Sequence, residues 1–223
     1  MSNGKIIVME GACDGVGKST QSALLKQRLE ENKIDVVKHH FPSYDLPQGK
    51  LVSNYLNGDY GTPKEISPYL VNSLYAIDRA ITWNTYLKKL YEEGSYILLD
   101  RYTTSSLIYQ TANMENNETK KDFIKYVLDY EYNKLGLKEP DQVLFLYGPY
   151  EVFEKLRHAR KENEGIQNDI HEREDSFMKK VYNNAMFIAE YLNWDMIDCV
   201  KNNEMDTIEN IHNKVYKLVN NKN

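Results

Sequence analysis

The run Gly15-Val16-Gly17-Lys18-Ser19-Thr20 carries the plainest chemistry in the chain. Glycines let backbone N–H groups curl around an anion, and a helix opening just after them adds its positive dipole end. Lys18 would reach the β- and γ-phosphates of a nucleotide, and the Ser19 hydroxyl would ligate Mg²⁺. Such a loop needs a strand before it and a helix after it. Ile6 to Met9 is a short β-branched run, and Ala23, Leu24, Leu25 and Leu29 give the following segment a helical character. The spacing is off by one. The full pattern places a glycine five residues before Gly17, where Ala12 stands, and the nearest glycine is Gly11. We therefore expect an ATP-binding loop from Asp14 to Thr20 with one inserted residue. A ligand-free turn after a strand is the alternative, and it leaves Lys18 and Ser19 unexplained.

A second constellation is Asp100-Arg101-Tyr102, after the apolar Ile97-Leu98-Leu99. Ligands of open α/β sheets gather at the carboxyl ends of strands. There an aspartate can serve Mg²⁺, and an arginine can bridge phosphates with its forked donors. An Asp–Arg ion pair capping a helix that begins near Thr104 is the structural alternative. Tyr75 and Arg79, four residues apart, share a helix face and would make a shelf for a base; a half-buried tyrosine beside a snorkelling arginine would look the same. Arg157, Arg160 and Lys161 recur at helical spacing, with Arg173 beyond them. On a closing flap they would neutralise a transferring phosphoryl group, although with Glu154 they also read as a solvated salt-bridge face. His39, His40, His158 and His171 show no metal-ligand spacing, so the adjacent pair reads as strand-end residues. Cys13 within the loop reads as a small residue that fits.

These residues need elements to hold them. Five β-rich runs, Ile6–Glu10, Val36–His40, Tyr96–Asp100, Gln142–Tyr147 and Trp194–Asp198, alternate with helical patterns. That alternation implies an α/β fold with a parallel sheet. Helices are expected over Ser67–Glu93, Lys120–Leu135, Ser176–Tyr191 and Asp206–Val219. In the first of these Leu70, Leu74, Ile77 and Ile81 form one stripe, Pro68 suits the first turn and Gly94 the C-terminal end. The polar segment from Lys161 to Asp175, with Gly165, is the candidate flap. With 223 residues and no linker, one domain spanning 1–223 is expected. A net charge of −5 argues against a general nucleic-acid binder. Two cysteines, no apolar run of membrane length and no signal-peptide core point to a cytoplasmic protein.

Taken in order, these pieces resemble the thymidylate kinase family of nucleoside monophosphate kinases. The likeness covers nearly the whole chain: Glu10-Gly11, Asp14 to Gln21, Phe41-Pro42, Gly49-Lys50, Asp78-Arg79, Asp100-Arg101-Tyr102, Ser105, Tyr109-Gln110, Pro140-Asp141 and Asn193-Trp194. It implies a phosphate-loop NTPase fold, a five-stranded parallel sheet flanked by helices, and a short mobile lid at about 157–175. It also implies phosphoryl transfer from ATP, with Mg²⁺, to dTMP. Asp14 would accept the sugar 3′-hydroxyl, and Phe41, Pro42 and Tyr75 would wall the thymine. Arg79 would hydrogen-bond the base with Ser105, Ser106 and Gln110 nearby, Glu10 would lie at the acceptor site, and Arg101 would grip the acceptor phosphate. Ser19 and Asp100 would serve the metal. Gly15 after the loop aspartate resembles members of bacterial type, whose catalytic arginines sit on the flap; this raises Arg157, Arg160 and Arg173, with Asp169 and Glu172 as the flap's acidic pair. A homodimer through the Ser67–Glu93 helix is a further implication.

Three departures stand out: the longer loop, Ser43-Tyr44 where many members carry an arginine after Phe-Pro, and Tyr75 where many carry phenylalanine. Two rivals remain at this point. A deoxynucleoside kinase would use Glu10 as base, and an ATP-binding switch would phosphorylate no small molecule.

Overall fold

The computed structural model describes residues 4–62, 65–156 and 175–221. Its centre is a five-stranded, all-parallel sheet of β1 (Ile6–Gly11), β2 (Val36–His40), β3 (Tyr96–Asp100), β4 (Gln142–Tyr147) and β5 (Asp195–Asp198), in the order β2-β3-β1-β4-β5. The register runs Ile6↔Ile97 between β1 and β3, and Ile7↔Gln142 between β1 and β4. Side chains alternate across a strand. Ile7 and Met9 therefore pack on one face with Leu25, Leu29 and Val215, while Ile6 and Val8 pack on the other with Phe41, Trp83 and Leu87. Burial on both faces is why these strands read as nearly unbroken apolar runs.

Helices α1 (Lys18–Glu31), α2 (Lys50–Asn57), α3 (Pro68–Thr82), α4 (Lys88–Glu92), α5 (Thr103–Thr111), α6 (Asn117–Leu128), α7 (Asp175–Tyr191) and α8 (Ile208–Asn220) surround the sheet. Ser67 caps α3 by accepting from the Tyr69 N–H at 3.3 Å, and Pro68 fills the first turn. The single helix expected over Ser67–Glu93 is α3 and α4 joined by a π-helical stretch, Trp83–Leu87. The one expected over Lys120–Leu135 ends in another, Asp129–Lys134. Helix α2 and a small hairpin, Val200–Lys201 with Glu204–Met205, were not foreseen. The hairpin turns on Asn202 and Asn203, both left-handed (φ 53° and 61°), as a tight primed turn requires.

The stripe on α3 faces the opposite way from a core stripe. Leu70, Ile77 and Ile81 are 56, 37 and 42% exposed, whereas Asn72, Asp78, Arg79 and Thr82 are buried. Of this inward face Arg79 lines the cleft described below, while Asp78 and Thr82 contact Ser43.

Candidate active site

The phosphate loop leaves the top of β1. Gly15 and Gly17 take φ 87° and 99°, in the left-handed region that glycine enters without a Cβ penalty. The inserted residue is absorbed without breaking the strand. Gly11 ends β1, and a Cβ there would meet Val16 Cγ1 at 2.5 Å, so Gly11 provides the close approach. Ala12 remains tied to β4 through its N–H to the Leu146 carbonyl at 2.9 Å. Cys13 is buried in the apolar cluster with Val16, Leu146 and Cys199, and neither cysteine is in a disulfide.

Lys18 reaches back over the loop, donating to the Cys13 carbonyl and to Asp14 Oδ1, each at 3.2 Å. Arg101, in left-handed backbone at φ 68°, turns from the end of β3 to pair with the same Asp14 oxygen. The Tyr109 hydroxyl donates to the other oxygen at 3.4 Å. Burial alone would raise the Asp14 pKa, but the charges of Arg101 and Lys18 outweigh it and hold the carboxyl well below the usual range. The Asp100–Arg101 ion pair weighed as the structural alternative does not form: Arg101 pairs with Asp14.

Asp100 has another neighbourhood. Its Oδ2 accepts from Ser19 Oγ at 3.1 Å and lies 3.4 Å from His40 Nδ1, while its buried Oδ1 has no hydrogen-bond partner. Burial opposes its ionisation, yet the His40 hydrogen bond and the charges of Lys18 and Arg101 lower its pKa. A hydroxyl beside a carboxylate with an unused oxygen fits a hard divalent cation that takes its other oxygens from water and phosphate. No cluster of three or more His, Cys, Asp or Glu forms a metal cage among the described residues.

Beyond Arg101 opens a cleft. Phe41, Pro42, Tyr75, Arg79, Arg101, Ser105, Ser106 and Gln110 all line it, together with Tyr44, Leu56, Tyr102 and Tyr109. The cis Phe41–Pro42 bond and the end of α3 form its walls, and Tyr75 packs edge-on against Tyr55 with centroids 6.3 Å apart. Glu10 is not on the lining. Fully buried below it, Glu10 accepts from the hydroxyls of Ser105 (2.5 Å) and Thr104 (2.9 Å) and from the Gly11 N–H (3.1 Å). Ser43 and Tyr44 part company: the Ser43 N–H donates to buried Asp78 at 2.8 Å, while Tyr44 faces the cleft.

Arg79 is itself buried, and burial disfavours its charge, but the Glu131 carboxylate keeps it cationic. Arg79 Nε and Nη2 donate to the two Glu131 oxygens at 2.8 and 2.6 Å. Glu131 and Leu56 escaped sequence reasoning, while Tyr102, Tyr109 and Tyr44 were named there without a place in the site. Arg157, Arg160 and Arg173, with the 157–175 flap apart from the start of α7, lie outside the described residues.

Arg101, Arg79 and the ring of Tyr75 line the cleft, and Lys18 joins Arg101 on the same Asp14 oxygen beside it. Cationic and aromatic side chains grouped in this way suit a ligand that carries phosphate and a flat ring. This arrangement, on a parallel sheet, defines a nucleoside monophosphate kinase. The thymidylate kinase family profile matches residues 9–215. A thymidylate kinase of Plasmodium falciparum is 29% identical over 97% of this chain and 90% of its own length. A probable thymidylate kinase of Thermococcus kodakarensis is 32% identical, covering 96% of each. The solved thymidylate kinase of Candida albicans superposes with a TM-score of 0.74 at 24% identity, over 100% of this chain and 94% of that one; at that identity it speaks for the fold. The chain belongs to the thymidylate kinase family.

Proposed function

We propose that the chain transfers the γ-phosphoryl group of ATP to the phosphate of dTMP, giving dTDP and ADP. The observation that carries this is the convergence of Lys18 and Arg101 on one Asp14 oxygen, with Arg101 also lining a cleft shared with Tyr75 and Arg79. The attacking atom is an oxygen of the acceptor phosphate, already anionic near neutral pH because its second pKa is about 6. No general base is needed, so positioning and charge neutralisation carry the reaction. The residues from Asp14 to Thr20 wrap the ATP phosphates, with Lys18 on the transferring group. Arg101 orients the acceptor phosphate. Ser19 and Asp100 would hold Mg²⁺, which when bound neutralises charge on the donor phosphates. Ser105, Ser106 and Gln110 offer polar groups to the nucleotide, and Arg157, Arg160 and Arg173 are assigned to the lid by resemblance.

Glu10 speaks against a nucleoside acceptor, since three donors already occupy it below the cleft. A mere switch would leave the base shelf without a task. We place the chain in the cytoplasm as one catalytic domain, consistent with two cysteines outside any disulfide and no helix among the described residues long and apolar enough to cross a membrane. The outward stripe Leu70, Ile77 and Ile81 supports a homodimer through α3.

An ADP-release assay with ATP, Mg²⁺ and a panel of dTMP, dUMP, dCMP, dGMP, thymidine and no acceptor tests this reading. Turnover dependent on dTMP is the expected result. Turnover on thymidine alone would replace it with the nucleoside kinase, and acceptor-independent release with the switch.

A further inference from the structure

Glu131 sits 52 residues from Arg79 in sequence and belongs to none of the motifs above. It is fully buried, within the π-helical stretch Asp129–Lys134, a wide turn of the kind that often marks functional positions. Its backbone is fixed, because its carbonyl accepts from the Leu137 N–H at 3.0 Å. Its carboxylate is fixed as well: Oε2 takes Arg79 Nε (2.8 Å) and Thr103 Oγ1 (2.7 Å), and Oε1 takes Arg79 Nη2 (2.6 Å). Nη2 also donates to Ser106 Oγ at 2.9 Å. One edge of the guanidinium is thereby consumed, leaving Nη1, whose protein contact is a 3.5 Å approach to the Tyr102 carbonyl. A planar fork held along one edge has a defined direction for the other.

We propose that Glu131 is a positioning residue for base recognition: by clamping Nε and Nη2 of Arg79 it directs Nη1 into the cleft as a fixed donor. The inference rests on the proposed nucleotide substrate and assigns how one part of that substrate is selected. Arginine presents only donors. A fixed donor accepts the carbonyl edge of thymine or uracil and meets the exocyclic amine of cytosine as a like group. Glu131 touches no substrate and acts through Arg79, whose free edge would swing if the clamp were loosened.

The test is steady-state kinetics of wild type, Glu131→Gln, Glu131→Asp and Thr103→Val with dTMP, dUMP and dCMP at saturating ATP, beside thermal melts. Glu131→Gln keeps the size but sets an amide donor against the guanidinium. We expect KM for dTMP to rise on the order of 10-fold, kcat to stay within about threefold, KM for ATP to hold, and the preference for dTMP over dCMP to fall by a similar factor. Glu131→Asp, charged but one methylene short, should fall between. Thr103→Val removes a single hydrogen bond and should shift KM in the same direction by a few-fold, even if Glu131→Gln does not fold. In an Arg79→Met background the Glu131 change should add nothing to KM. A lower melting temperature with unchanged KM and unchanged dTMP preference would reduce Glu131 to a structural residue and overturn the inference. An additive rise in the Arg79→Met background would do the same. Wild type inert on all three monophosphates would remove the substrate reading and this inference together; wild type active with the variants unshifted would remove the inference alone.

Discussion

Lys18→Met separates chemistry from stability more cleanly than any other change in the site. The lysine side chain is 8% exposed and its ammonium makes two 3.2 Å bonds, to the Cys13 carbonyl and to Asp14. Methionine retains the stem, which packs close to Gly11, and deletes only the charge. Asp14 keeps Arg101 and Tyr109, so no carboxylate is orphaned. Two long hydrogen bonds, one to a charged group, are worth about 1–2 kcal/mol in the folded state. For a chain of this size that is about 2–8 °C in melting temperature. Loss of one well-placed donor to the transferring group costs about 10²–10³ in kcat, or about 2.7–4 kcal/mol of barrier. The expected variant is folded at 25 °C, still binds nucleotide, and turns over two to three orders of magnitude more slowly. Rapid-quench kinetics measures the rate, titration calorimetry the binding and circular dichroism the melt. A kcat within about threefold of wild type would refute the role of Lys18. So would a loss of activity that follows the unfolded fraction, because the charge would then be structural.

Asp100→Asn should preserve the fold and lower turnover at least 10-fold, with a raised Mg²⁺ requirement visible in a metal titration; an unchanged metal dependence would remove Asp100 from that site. Acid melts should distinguish Asp14→Asn from wild type. The folded Asp14 carboxyl lies below its unfolded value near 3.9, so the unfolded chain takes up the proton first. The stability it contributes is fully present above about pH 5 and drains as pH falls towards the folded value. The gap in melting temperature between wild type and Asp14→Asn should therefore be widest at pH 6 and narrow steadily below pH 4; a constant gap would contradict the ion-pair account. Ile77→Glu, on the outward stripe of α3, should halve the mass in light scattering if that face joins two copies, and leave it unchanged if it does not.

Much of the site was legible because its residues are neighbours in sequence. Gly15 to Ser19 announce a loop through their own spacing, and Asp100-Arg101 announce a strand end because three apolar residues precede them. Tyr75 and Arg79 could be paired by helical periodicity alone. What escaped the sequence lies in relations between distant elements. Nothing near Glu131 distinguishes it from the solvated carboxylates of a polar helix; only its packing against Arg79 does. The stripe on α3 was visible, but periodicity specifies a face and not its direction, and here the buried face sets Asn72, Asp78, Arg79 and Thr82 beside Val71 and Ala76. Helix α2 was missed because eight residues give barely two turns of pattern. Asp14, assigned to a sugar hydroxyl by resemblance, also pairs with Lys18 and Arg101, a contact that requires β1 and β3 to lie side by side.

The strand order has a bearing on how the molecule is made. Both neighbours of β1 lie downstream of it: β3 at Tyr96–Asp100 and β4 at Gln142–Tyr147. As the chain leaves the ribosome, β1 and the glycine loop behind it emerge with nothing to pair against, and the central strand must wait for β4 before both its edges are satisfied. Contacts of such long sequence separation delay folding, since chain closure precedes any return in packing. The nucleotide-binding loop is thus synthesised before the sheet that shapes it and gains its form only once β4 has docked. A ligand that binds only that finished loop favours the docked state by mass action, so ATP in the surrounding solution would act on the maturation of this protein as well as on its turnover.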